Sequence, residues 1–448
     1  MISKVYSSYK ESGSLWLGQI PSHWSVKKLK FLAVVQPSNV DKKTIDGEEP
    51  VLLCNYTDVY KNEYIDSRLE FMSATATSLE INKFSTDVGD VIVTKDSESP
   101  SDIAIPACIS EKIDGLLCGY HLTQIKPVDL DGRYLLRLFQ SKGFNAQFII
   151  SANGVTRFGL PQYAISNAYS CMPPRSEQKE IAAFLDFKTA QIDALISKQK
   201  ALLDKLAEKR TALISHAVTK GLDPSVTMKD SGVAWLGEIP EHWETTRIKF
   251  IARVGNGSTP SRDKAEYWDE NYFPWLNSSV VNQDEVISTE QYVSALALKE
   301  CHLPIVNPPA ILVGITGQGK TRGMATKLNI KATINQHVVY IKPYSNDVQI
   351  DYVLFLFEQA YVLLRSQSDS GGSTKGAITC EQIKNLCIPL PPANEQIAIK
   401  EYISGELDVL VKMRNKIELI IEKLTEYRLS IISEAVTGKI DVRDFQCS

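Results

Sequence analysis

The chain has 448 residues, enough for two or three domains, and its apolar and charged fractions of 44% and 23% are those of an ordinary globular protein. A net charge of −4 excludes a general nucleic-acid sponge, which would be basic, but leaves local binding open, because nearby charges set the field at a contact. The eight cysteines form no Cys-x-x-Cys pair and no cluster with zinc spacing, so no metal site is expected. The opening residues MISKVYSSYKESG lack the apolar core of a secretion signal, and the most apolar stretch, 352–364, is interrupted by Glu358 and Gln359. A cytoplasmic location without membrane contact is therefore expected.

In chain order, residues 1–172 alternate short apolar runs, such as 51–54 and 91–94, with turn-rich stretches, and predict one helix near 134–150. Strands and helices mixed without regular βαβ alternation predict an α+β fold. Residues 173–225 open with Pro-Pro-x-x-Glu-Gln at 173–178. The prolines stop what precedes, Ser176 is placed to cap a helix, and Glu177 suits its positive end. Residues 226–390 repeat the order of the first segment, with a helix predicted at 351–366. Residues 391–448 open again with Pro-Pro-x-x-Glu-Gln, with Asn394 as the cap and Glu395 in the first turn.

Both helical segments carry a 3.5-residue apolar period, the mark of a coiled coil. The predicted seam includes Ile192, Leu195, Leu202 and Leu206 in the first segment, and Leu410, Met413, Ile417, Ile420 and Leu424 in the second. Each helix of ~40 residues would span ~60 Å, stopping near Gly221 and Gly438. Lys209 and Glu406 interrupt the strips and are expected to face each other or lie one layer apart.

The chain is in effect written twice. Trp16-Leu-Gly-x-Ile-Pro-x-His-Trp24 returns as Trp235-Leu-Gly-x-Ile-Pro-x-His-Trp243. The segments 133–139 and 351–357, 154–178 and 372–396, and 210–219 and 428–437 also match. Such a duplication predicts two similar globular domains related by a pseudo-two-fold axis, their two long helices paired antiparallel. The tryptophan blocks are expected to act as apolar clasps, with His23 and His242 as packing residues.

No motif supports chemistry. Gly314-Ile-Thr-Gly-Gln-Gly-Lys-Thr321 fits the P-loop spacing after an apolar strand, but no capped helix follows it and no strand ending in a magnesium-binding Asp accompanies it. It reads better as a polar loop offering Gln318, Lys320, Thr321 and Arg322 to phosphates and base edges. Asn307-Pro-Pro-Ala310 lacks the aromatic residue that would stack on a flipped base, and reads as a turn into a strand. His121 and His337 occupy matched contexts with no catalytic set accompanying both copies, and are expected to be buried or at strand ends.

On the twin tryptophan blocks, the twin Pro-Pro-x-x-Glu-Gln starts, Gly154-Val-Thr-Arg-Phe-Gly-Leu160, and the Ala217-Val-Thr219 and Ala435-Val-Thr437 ends, the chain resembles the specificity subunits of type I restriction–modification enzymes. The resemblance implies a non-catalytic subunit whose two target-recognition domains, 1–172 and 226–390, read the halves of a bipartite double-stranded DNA site. The helical spacers 173–225 and 391–448 would fix the gap between the halves. It implies two modification methyltransferase subunits and restriction/translocase subunits as partners. Those partners use S-adenosylmethionine and ATP with Mg, and this chain binds no cofactor. Divergent loops on a shared scaffold are where different sequences are read. The DNA-binding candidates are therefore Lys95, Ser97, Asn55, Tyr56, Lys61, Asn62, Thr156 and Arg157 in the first domain. In the second they are Gln318, Lys320, Thr321, Arg322, Asn277, Ser278, Thr374 and Lys375. A two-headed coiled-coil scaffold for protein partners is the alternative.

Overall fold

The computed structural model describes residues 5–317, 319–369 and 376–445, in two units: residues 1–200 with 418–448, and residues 201–417. The first unit is built on a five-stranded sheet of β1 (Ala33–Pro37), β2 (Tyr64–Ile65), β3 (Val91–Thr94), β4 (Pro106–Ile109) and β5 (Leu122–Pro127). Its order is β1-β5-β3-β4-β2, antiparallel except for the β4/β2 pair. Strand β3 is central and buried along its length, which is why it reads as an unbroken apolar run.

In the second unit the strands are β6 (Ala252–Asn256), β7 (Glu285–Val286), β8 (Ala310–Gly314), β9 (Ala325–Leu328) and β10 (Val338–Pro343). Their order, β6-β10-β8-β9-β7, repeats the first unit strand for strand, again with one parallel pair at the same edge. Each unit adds a three-stranded sheet, centred on Glu49–Cys54 in the first and Trp268–Leu276 in the second.

Each single helix expected after these sheets is two. In the first unit α1 (Gly132–Gln140) and α2 (Lys142–Ile149) are separated by Ser141, whose backbone is extended and whose hydroxyl bonds back to the Leu138 carbonyl at 2.7 Å. That local bond competes with helix continuation. Phe139, Phe144 and Phe148 pack across the break.

The first long helix, α3 (Arg175–Lys220), starts in this unit. In the second unit α4 (Ile350–Gln359) and α5 (Tyr361–Asp369) are separated at Ala360, and α6 (Ala393–Val436) is the second long helix. Ser176 and Asn394 are therefore not the caps: each helix begins one residue earlier, where Gln178 N and Gln396 N already donate to the Pro174 and Pro392 carbonyls.

The glutamines close the helix starts instead. Gln178 donates to the Pro173 carbonyl at 3.0 Å and accepts from Asp131 N at 2.8 Å. Gln396 does the same with Pro391 and Gln349, both at 2.8 Å. Each Gln thus ties a long helix to the N-terminus of the paired helices of its own unit. Gln178→Leu keeps the volume and leaves the Asp131 N–H and the Pro173 carbonyl without these partners. It is expected to destabilise the first unit by about 2 kcal/mol in urea unfolding; a change below about 0.5 kcal/mol would show that the tie contributes nothing.

The histidines of the tryptophan clasps are not mere packing. His23 Nε2 lies 2.9 Å from Glu177, which also accepts from the Tyr6 hydroxyl. His242 Nε2 lies 2.8 Å from Glu395, which also accepts from Trp243 Nε1 at 2.9 Å. The same clasps sit on the glycines that end the long helices. A Cβ on Gly438 would meet Pro21 at 2.3 Å, and one on Gly221 would meet Trp243 at 3.2 Å, and both glycines have positive φ. Tyr134 donates to the carbonyls of Cys171 and Val436, and Tyr352 to those of Pro389 and Val218. In each unit the start of one long helix therefore meets the end of the other, which is the antiparallel order.

The seam differs from the expected one by one residue at every second position. Ile192, Leu410 and Ile417 are buried and Leu206 and Leu424 are half-buried, but Leu195, Leu202, Met413 and Ile420 are 42–46% exposed. Ile196, Leu203 and Ile421 take the inward places of Leu195, Leu202 and Ile420, and Arg210, Leu407 and Arg428 lie inward beside Lys209, Glu406 and Tyr427, while Met413 and Arg414 are both exposed. Pairs such as Leu195/Ile196, Leu202/Leu203 and Ile420/Ile421 fit a 3.5 period through either member. At 209/210 and 427/428 an arginine lies inward, its stem covering the strip while its head reaches an acid. Arg210 pairs with Glu358, and Arg428 with Asp193 and Glu63. Lys209 is exposed and forms no ion pair with Glu406, so the register is not set by that pair. Among the described residues no helix is long and apolar enough to cross a membrane.

Candidate nucleic-acid interface

Each central strand ends beside a histidine. Because β3 and β5 are antiparallel, the residues after Thr94 lie against those before Leu122, and Lys95 N donates to the His121 carbonyl at 3.1 Å. In the second unit Ile315 N donates to the His337 carbonyl at 3.0 Å. The scaffold is shared, and the side chains on it are not. His121 Nδ1 lies 2.5 Å from Asp96, whereas His337 Nδ1 lies 3.0 Å from the Thr316 hydroxyl.

In the first unit this corner gathers Lys95, Ser97, Thr156 and Arg157 of the expected residues, with Tyr56 beside Ser97. Asp96–Ser97 pairs with Phe158–Gly159, which brings Arg157 to within 3.9 Å of Asp96. Lys95 donates to the Ser38 carbonyl and lies over the Tyr120 ring at 5.0 Å. Ser97 is buried, while Thr156 and Arg157 are exposed. Tyr56 stacks on Tyr60. Burial raises the Tyr56 hydroxyl pKa and Asp102 adds to the rise, against a hydrogen bond with Ser97.

Asp96, Tyr120 and His121 were not among the expected residues. The matched histidines marked the place, but the carboxylate is present in only one copy.

Other expected residues have structural tasks. Asn55 is buried and precedes the short helix Tyr56–Lys61, with Nδ2 directed to the Leu53 carbonyl. Asn277 holds the matching position after Leu276 and caps the next turn by accepting from Ser279 N at 2.8 Å, with Ser278 half-buried beside it. Asn55 is turned inward, whereas Asn277 is half-buried in an exposed turn. Asn62 donates to the Asp58 carbonyl, and Lys61 and Asn62 line a separate groove of about 420 Å³ with Gln140 and Arg428.

In the second unit, Gln318, Thr374 and Lys375 lie outside the described residues. Lys320 is exposed and Thr321 half-buried in the connection from β8 to the antiparallel β9. That connection places no helix after the glycines, so Lys320 is not in a P-loop setting. The turn is held by α5: Tyr361 donates to the Lys320 carbonyl, and Arg365 to those of Gly319 and Arg322. Arg322 is 5% exposed and donates to Asp369 at 2.7 Å. It turns inward and is removed from the set of outward donors.

Residues 240–422 match the family model described as the type I restriction modification DNA specificity domain. The type I restriction enzyme MjaVIII specificity subunit of Methanocaldococcus jannaschii is 23% identical over 456 residues, covering 98% of this chain and 97% of that protein. The MjaIX specificity subunit of the same organism is 31% identical over 192 residues, 42% of this chain and 43% of its own length. The fold is shared with a chain from a solved type I R-M system, reported for its complex assembly and conformational transition. The TM-score is 0.72 at 14% identity, covering 94% of this chain and 99% of that one. In this domain match and along its full length, the chain is similar to the specificity subunits of type I restriction enzymes.

Proposed function

We propose that this chain is the DNA sequence-specificity subunit of a type I restriction–modification complex. It reads a bipartite double-stranded site, one half with each unit, and recruits modification and restriction subunits that carry out the chemistry with S-adenosylmethionine and with ATP and Mg. It binds no cofactor and catalyses nothing itself. One observation carries the reading: two sheets of identical strand order end, at the same corner, in different side chains, Lys95 and Asp96 against Ile315 and Thr316. A shared scaffold with unlike loops suits the reading of two unlike half-sites. A scaffold for protein partners would not need its two heads to differ at that corner.

Equilibrium binding of the full chain to duplex DNA over a salt series tests this. Affinity should fall steeply as salt rises, because phosphate contacts release counterions. Lys320→Ala should reduce the log–log slope by about one unit and weaken binding to every sequence alike. Arg322→Ala should leave the slope unchanged and instead lower stability by about 2 kcal/mol, through loss of its bond to Asp369. Salt-independent binding would contradict the reading.

A further inference from the structure

Arg157 stands on a tightly tethered loop of the first unit. Its loop is closed at the base by two hydrogen bonds, Asn153 N to the Gly159 carbonyl at 3.0 Å and Gly159 N to the Asn153 carbonyl at 2.8 Å. Inside it Gly154 has φ +148, and a Cβ there would lie 1.9 Å from the Arg157 carbonyl, so the tight path needs glycine. Leu160 N donates to the Lys95 carbonyl at 2.7 Å and clamps this loop to the one after β3.

At the junction His121 Nδ1 stands 2.5 Å from Asp96 Oδ2 and 3.3 Å from Arg157 Nη2. A carboxylate oxygen that close to a ring nitrogen requires the proton on Nδ1, so His121 donates to Asp96. The guanidinium then rests against the pair by attraction to the carboxylate. His121 itself is held at φ +71, a conformation few side chains adopt, and Tyr120 packs on its ring at 4.1 Å. The Arg157 side chain remains 59% exposed.

A guanidinium drawn towards a carboxylate 3.9 Å away on one side and open to solvent on the other offers its N–H groups as a fork at the tip of a tethered loop. Phosphate is a poor partner for it, because Asp96 is within 4 Å and Glu98 and Asp102 follow in the same loop. The edge of a guanine, with acceptors at O6 and N7 and no net charge, suits the fork. Building on the DNA-reading function proposed above, the geometry points to Arg157 as the residue that reads a guanine in the half-site of the first unit, with Asp96 and His121 as positioning residues. The second unit has Thr316 in place of Asp96 and so lacks the carboxylate half of the device.

The test is selection from a pool of randomised duplexes by the full chain, compared among wild type, Arg157→Lys, Arg157→Ala and Asp96→Asn. The wild type should select a guanine at one position of one half-site. Arg157→Lys keeps the charge but not the fork. Both Arg157 variants should lose that preference by roughly 5- to 150-fold, the discrimination a bidentate contact supplies. Asp96→Asn should weaken the preference at the same position and at no other. The second half-site, read by the other unit, should be unchanged in all three, which separates a lost contact from a lost fold. Replacing that guanine with 7-deazaguanine should weaken wild-type binding but not that of Arg157→Ala. Retention of the full wild-type preference by Arg157→Lys and Arg157→Ala, or uniform weakening on all sequences with a reduced salt slope, would overturn the inference and leave the DNA-reading function standing. If the wild type selected no sequence at all, the function itself would fall, and this inference with it.

Discussion

Arg137→Met is expected to destabilise the first unit by about 3–5 kcal/mol, the cost of breaking a buried ion pair from one side. Arg137 is 1% exposed and joins three parts of its unit. Its Nη1 donates to Glu63, just before β2, at 2.9 Å, and to Gln140 at 2.8 Å. Its Nη2 donates to Asp186 and Thr189 of α3 at 2.9 and 3.2 Å. Arg428 of α6 binds Glu63 from the other side and continues to Asp193. Burial alone would raise the Glu63 carboxyl, but Arg137 and Arg428 together outweigh it and hold it below the usual glutamate range.

The sign of the pH dependence follows. A depressed carboxyl contributes its full stability above the unfolded value and loses it as pH falls through the folded one. The wild-type unit should therefore weaken in acid below the ordinary glutamate range, and Arg137→Met should flatten that dependence as well as lower stability at neutral pH. Hydrogen exchange at the amides of α1, followed against urea and pH, checks both. Protection within 1 kcal/mol of wild type at neutral pH would show that the network is replaceable by packing, as the aligned Phe355 of the second unit suggests it could be.

Grafting residues 33–167 from a type I specificity subunit, with Glu63 and Arg137 retained so that the network to Asp186 and Arg428 stays whole, should change one half-site completely and leave the other intact. The limits follow from the clasp. Tyr6, His23, Glu177 and Gln178, and the strand pair Ser25–Lys28 with Tyr169–Met172, tie the unit to its helices, and they must stay together. Each mismatched base pair costs about 1–3 kcal/mol, so discrimination at the grafted half-site should shift by orders of magnitude. Profiling the methylation directed by the chimaera would read this. An altered second half-site would mean that the two units do not read independently.

The duplication made much of this legible, because two copies in one chain act as an alignment of two. What recurs is scaffold: the clasps, the helix starts and Tyr134/Tyr352 all hold the frame. The His23–Glu177 and His242–Glu395 bonds could have been foreseen, since both partners recur together, though their proximity needed the fold. The seam was half legible. A 3.5 period has two solutions wherever apolar residues stand side by side, and contacts at the helix ends choose between them. Arg137 was not legible, because its counterpart is Phe355 and its acids come from distant elements. Asn55 and Arg322 have the chemistry of readers but are buried and bonded within the protein. Polar residue type reports what a group can bond to, and burial decides whether the partner is DNA or the protein itself.

The most direct test of the central claim is genome-wide methylation profiling of the host with this subunit deleted and then restored. Methylation at one motif made of two constant blocks separated by a fixed gap is expected to be lost and then to recover. Methylation unchanged by the deletion, or lost only at a single uninterrupted block, would contradict it.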